Sequence, residues 1–124
     1  MISSRKQQDM IKGLGIRMNT KLDADLKIII NEIQAILPGA RIILFGSYAS
    51  GREGRDSDLD LCVVADHFSG RRLDMMHAIR KAVAGKIKYS LDILLYRNSE
   101  FQEYAKSRPR LEYTIANEGV VVNA

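Results

Sequence analysis

The chain has 124 residues, 46% hydrophobic and 27% charged, enough for one compact domain with a core of its own. Nineteen basic and fifteen acidic residues leave a net charge of +4; only 6% are aromatic and no basic block is interleaved with rings, so a nucleic-acid partner finds no support. The single cysteine excludes an intramolecular disulfide, and no apolar run reaches membrane-spanning length, so a reducing, cytoplasmic setting without a membrane partner is expected.

Met1 to Thr20 is polar, with scattered Lys and Arg, and lacks the apolar centre of a signal peptide. It reads as a flexible extension (residues 1–20) ahead of a folded domain (21–124), and Met18 is a second candidate start. Leu22, Leu26, Ile29, Ile30, Ile33, Ile36 and Leu37 recur at helical spacing, predicting an amphipathic helix over 22–37 that Pro38-Gly39 stops. Arg41 to Phe45 is a short β-branched, apolar run and predicts a buried strand. Gly46-Ser47 breaks it. Tyr48 to Ser50 predicts a helical turn, and the Gly-, Arg- and Asp-rich stretch 51–57 a loop.

Residues 58–65 predict a second strand, with Asp58, Asp60 and Cys62 on one face and Leu59, Leu61 and Val63 entering the core from the other. Ser69 is the expected cap of a helix over about 70–84, with Leu73, Met76, Ile79, Ala82 and Val83 on its buried side. Tyr89 to Tyr96 predicts a third strand, with Ser90, Asp92 and Leu94 sharing a face. Helices over roughly 99–106 and 110–118 follow, then a short strand at Val120 to Val122. Phe101, Tyr104, Leu111 and Ile115 are expected in the core, with an oligomer interface as the other use for them. This order of elements implies an α/β (α+β) domain: a mixed sheet flanked by helices.

The chemistry concentrates between Gly46 and Asp60. Gly lets a backbone turn approach a phosphate closely, and Ser47 adds a hydroxyl. Ten residues separate Ser47 from Asp58-Leu59-Asp60, where two carboxylates on one face of a strand suit Mg²⁺, a cation that wants hard oxygen ligands. Asp92 interrupts the apolar run Leu91 to Leu95, where a buried charge is costly unless a cation compensates it, so it is the candidate third ligand. Rival motifs fail. A calcium loop starting at Asp56 would need Gly at position 61 and Glu at 67, where the chain has Leu61 and His67. No Gly-Lys-Ser/Thr and no Gly-x-Ser-x-Gly is present, and His67, His77 and Cys62 lack zinc-ligand spacing.

Gly46, Ser47, Gly51, Ser57, Asp58, Asp60 and the lone Asp92 together resemble the nucleotidyltransferase superfamily of the DNA polymerase beta type, and within it the minimal nucleotidyltransferases (MNT). The resemblance spans roughly residues 22–122, including the leading helix and the closing segment Leu111 to Val120. It implies a nucleotidyltransferase fold. It also implies a reaction: Asp58, Asp60 and Asp92 hold two Mg²⁺ ions, Asp92 helps deprotonate an acceptor hydroxyl, and Gly46, Ser47 and Ser57 bind ATP or another NTP. The family's usual partner is a HEPN-domain toxin. The expectation is thus an antitoxin that transfers AMP to a partner protein. A non-catalytic binding antitoxin and a catalytic subunit acting on a small molecule or RNA are the rival expectations.

Overall fold

The computed structural model describes residues 20–50 and 58–123. The polar extension up to Asn19 and the loop 51–57 lie outside them. Helix α1 (Thr20–Ile36) buries Leu22, Leu26, Ile29, Ile30 and Ile33, the stripe expected from their spacing. Beyond Pro38-Gly39 the chain reverses, braced by Gln34. Its Nε2 donates to the Ala40 carbonyl at 3.0 Å, and its Oε1 accepts from the Gly39 N–H at 3.1 Å.

Strand β1 (Arg41–Phe45) leads into the short helix α2 (Ser47–Ser50), and β2 (Leu59–Ala65) follows. Helix α3 (Arg72–Val83) crosses to β3 (Leu91–Arg97). Helices α4 (Asn98–Tyr104) and α5 (Leu111–Glu118) and the two-residue strand β4 (Val120–Val121) complete the order. The sheet runs β3-β2-β1-β4. β1 is antiparallel to both neighbours, and β3 is parallel to β2. The parallel pair needs a crossover, and α3 supplies it. The mixed sheet flanked by helices expected from the sequence is the observed architecture.

Both sheet faces are covered, because side chains alternate. On one face Ile42, Leu44, Leu59, Leu61, Val63, Leu91, Ile93 and Leu95 join the stripes of α1 and α3 in the main core. On the other, Ile43, Cys62 and Val64 pack against Phe101 of α4 and Ile115 of α5 in a smaller core. Cys62 is fully buried there, and burial pushes its thiol up to about 12, so it is a packing residue and an inert thiol.

Several local expectations need correction. Ser69 does not cap α3: the chain is still turning at Ser69-Gly70, and Arg71 occupies the cap position with no side-chain hydrogen bond. Leu73 is 55% exposed. With Ile79 at the centre of the buried face, Leu73 lies about 120° round the helix, and Met75 takes its place. The third strand begins at Leu91, two residues late, because Asp25 of α1 accepts the N–H groups of Lys88 and Tyr89 at 2.6 and 2.8 Å. Of the four apolar residues assigned to the C-terminal core, Phe101 and Ile115 are buried, Tyr104 is half-buried and Leu111 is 50% exposed.

Candidate active site

The strand register brings the chemistry together. Phe45 pairs with Asp60, and Asp60 with Asp92, so the three form one row across β1, β2 and β3 on a single face. The next row, Ile43, Cys62 and Leu94, is already part of the smaller core. The carboxylate row therefore sits where the α4–α5 layer stops. Asp60 is half-buried, while Asp92 is exposed, so the burial cost expected for Asp92 does not arise: its face of β3 is left uncovered at that row. Asp58 precedes the strand by one residue, two positions from Asp60, and is also exposed.

Gly46 closes the row from above. Its φ is +78°, a conformation that side-chain-bearing residues rarely adopt. A Cβ on it would overlap the Asp60 carboxylate and stand 3.1 Å from its Cγ. The turn that reads as a phosphate cradle is thus packed directly on the carboxylate that reads as a metal ligand. Ser47 follows as the first residue of α2, whose Tyr48 is buried and meets the Tyr89 ring edge-on at 5.4 Å. Core packing of Tyr48 thereby holds the Gly46-Ser47 turn in place.

The start of β3, and with it Asp92, is pinned from three sides. Asp25 holds Lys88 and Tyr89, the Leu59 N–H donates to the Ser90 carbonyl at 2.8 Å, and Arg80 Nη1 donates to the Leu91 carbonyl at 2.8 Å. Asp25 was legible in part: it lies on the apolar stripe of α1 between Leu22 and Leu26, an expensive place for a carboxylate without partners. Phe45 follows from alternation along β1. The polar residues of α5 near the turn carry no sequence signal of their own.

Electrostatics supports a cationic guest. Burial, then the charges of Asp92 and Asp58, push the Asp60 carboxyl above its ordinary value of 3.8. Three carboxyl groups repelling one another beside a backbone turn are hard-oxygen donors of the kind a divalent cation takes. Among the described residues no three His, Cys, Asp or Glu side chains are already drawn together as a metal cage. The donor set fits a divalent ion as an open site shared with a ligand's oxygens, which is how Mg²⁺ is usually bound. Ser57 and Gly51 lie outside the described residues. His67 and His77 are exposed and stand apart from the row.

A cleft of about 500 Å³ opens beside the turn, between Gly46-Ser47 and helix α5.

Residues 26–122 match the family described as the nucleotidyltransferase domain. No curated protein matches the sequence. In fold, the chain is similar to a crystal structure from Sulfolobus solfataricus described as a candidate nucleotidyltransferase, with a TM-score of 0.52 and 15% identity over 85% of this chain and 87% of that one. The activity that such a domain carries is nucleotidyl transfer, in which an NMP group leaves an NTP for an acceptor. With the family matched over most of its length and the fold agreeing, this chain belongs to the nucleotidyltransferase-domain family.

Proposed function

We propose that the chain is an Mg²⁺-dependent protein adenylyltransferase of the minimal nucleotidyltransferase type, moving AMP from ATP to a hydroxyl of a HEPN-domain toxin for which it serves as antitoxin. The observation that carries the catalytic part is the placement of Asp60 beside Asp92, with Asp58 two residues upstream and Gly46 packed on the Asp60 carboxylate. Asp58 and Asp92 are exposed, so an acceptor hydroxyl can reach them from solvent.

In this reading Asp58, Asp60 and Asp92 would hold two Mg²⁺ ions, which when bound neutralise the triphosphate and the charge that develops during transfer. The Gly46-Ser47 turn positions the phosphates, and Ser57 is assigned to the same task by resemblance. The acceptor oxygen forms a bond to the α-phosphorus as the bond from that phosphorus to the bridging oxygen breaks. Pyrophosphate leaves with that electron pair, and the hydroxyl proton passes to the Asp92 carboxylate. Positioning and charge neutralisation supply most of the rate.

Incubation with α-labelled ATP, Mg²⁺ and a cognate HEPN protein tests this. Label should move to the partner, and Asp58→Ala/Asp60→Ala should abolish the transfer. One rival is a non-catalytic binding antitoxin. Neutralisation of the toxin by the double variant, with no label moved by the wild type, would establish that rival. Label appearing on added RNA or an aminoglycoside, and not on protein, would place the acceptor elsewhere.

A further inference from the structure

Helix α5 has two faces with different uses. Glu112 and Ile115 face the sheet and are buried. Leu111, Thr114 and Glu118, spaced i, i+3 and i+7, share another face, are exposed, and line the cleft beside Gly46-Ser47. Leu111 is one of only two large hydrophobic residues exposed among the described residues. Phe45 forms the floor on the sheet side, in the same row as Asp60 and Asp92. The helix end is set tightly against β1 through Gly119, where a Cβ would stand 2.5 Å from both the Ile115 carbonyl and the Ile43 side chain. Close approach at Gly119 thus fixes where Glu118 points relative to the turn.

We infer that this cleft takes the nucleoside of the NTP, with Leu111 and Phe45 flanking the base and Glu118 accepting hydrogen bonds from neutral donors of the nucleoside. The inference rests on the proposed nucleotidyl transfer and adds the subsite. The volume of about 500 Å³ lies within the roughly 300–1,000 Å³ range of small-molecule sites. Its position orients the ligand. One end is the Gly46-Ser47 turn above the carboxylate row, which suits phosphates. The other end carries apolar surface and a carboxylate. A carboxylate repels phosphate but accepts from a ribose hydroxyl or an exocyclic amine. Thr114, one turn before Glu118, can give or take a further hydrogen bond. The triphosphate therefore runs toward Asp60 and the nucleoside toward α5.

Calorimetric titration of the full chain with Mg²⁺ separates the two ends. One probe is α,β-methylene-ATP, which cannot transfer AMP; the other is inorganic tripolyphosphate, which has no nucleoside. Leu111→Ser and Glu118→Gln, both at exposed positions, should each weaken the nucleotide analogue about tenfold and leave tripolyphosphate binding unchanged. Weaker binding of ITP than ATP to the wild type, lost in Glu118→Gln, would assign the donor as the exocyclic amine. Weaker binding of 2′,3′-dideoxy-ATP, lost in the same variant, would assign it as the ribose. Analogue binding that is equal in wild type and both variants would overturn the subsite alone. A wild-type chain that binds neither probe would remove the nucleotidyl-transfer reading and the subsite with it.

Discussion

Gly46 and Asp60 meet at the point where local chemistry and folding compete. Gly46→Ala would place a methyl into the Asp60 carboxylate in a backbone conformation with φ +78°. We expect a loss of about 2 kcal/mol or more in thermal or denaturant unfolding and, on the proposed reading, loss of nucleotidyl transfer. Asp60→Asn should act in opposite directions on the two readouts. The folded protein disfavours the Asp60 charge through burial and the adjacent Asp92 and Asp58. Removing that charge should raise the melting temperature of the chelator-treated protein slightly at neutral pH, an effect solvent screening keeps small. On the proposed reading, the same change should lower transfer at least about 100-fold, because a hard anionic ligand would be lost. Melting curves and labelled transfer on the same preparation would check both. A fall in melting temperature would show that Asp60 is a structural carboxylate. Asp58, Asp60 and Asp92 stand out in the sequence as candidates because two carboxylates at i and i+2, and a charge inside an otherwise apolar run, are each unusual; the exposure of Asp92 was not readable there. The contact of Gly46 with Asp60 was not, since it depends on how the turn folds back over β2.

Among the elements, α5 depends on a polar network that composition gave no reason to expect. Tyr96 at the end of β3 donates its hydroxyl to Glu112 Oε2 at 2.5 Å, and Arg110 Nε donates to Glu112 Oε1 at 3.0 Å. The Arg110 guanidinium also lies 4.0 Å from the centre of the Tyr104 ring. Burial opposes the Glu112 charge, but the Tyr96 hydroxyl, its own backbone N–H and Arg110 outweigh it and hold the carboxyl below its ordinary 4.5. A depressed carboxyl contributes stability that is complete above its unfolded value and is lost as pH falls through the folded one. The wild type should therefore lose more stability than Glu112→Gln between about pH 5 and pH 3, a difference measurable by denaturant unfolding at each pH. Glu112→Ala should cost about 1–3 kcal/mol at pH 7, because the Tyr96 hydroxyl loses its acceptor. Equal acid sensitivity in wild type and Glu112→Gln would show that the network adds nothing. At the far edge of the sheet, Asn123 extends β4 with its side chain: Oδ1 accepts the Ile42 N–H at 2.8 Å, and Nδ2 donates to the Ala40 carbonyl at 2.7 Å. An Asn in a chain end carries no pattern from which such a role could be read.

At the level of the whole molecule, the sheet separates two hydrophobic layers with different duties. The α1–α3 side is the larger core, while the α4–α5 side covers only part of the other face and leaves the carboxylate row open. Ile115→Ala should cost about 2–4 kcal/mol and act unevenly. Hydrogen exchange should quicken through residues 98–118 while the amides of α1 and β2 stay protected. Uniform loss of protection would mean that the two layers unfold as one unit. The sequence by itself determined the order of elements, the stripe of α1 and the buried strands, and it singled out three carboxylates as candidates. Those features depend on periodicity and on the cost of charge in apolar runs, which act over a few residues. Only the tertiary structure decided that Phe45, Asp60 and Asp92 form one row, that Leu73 faces solvent, and that Leu111, Thr114 and Glu118 border a cleft beside Gly46. Strand register, the turn of each helix about its axis and the approach of α5 at Gly119 set those relations. Each is fixed by packing between residues far apart in the chain, so no local pattern could carry it.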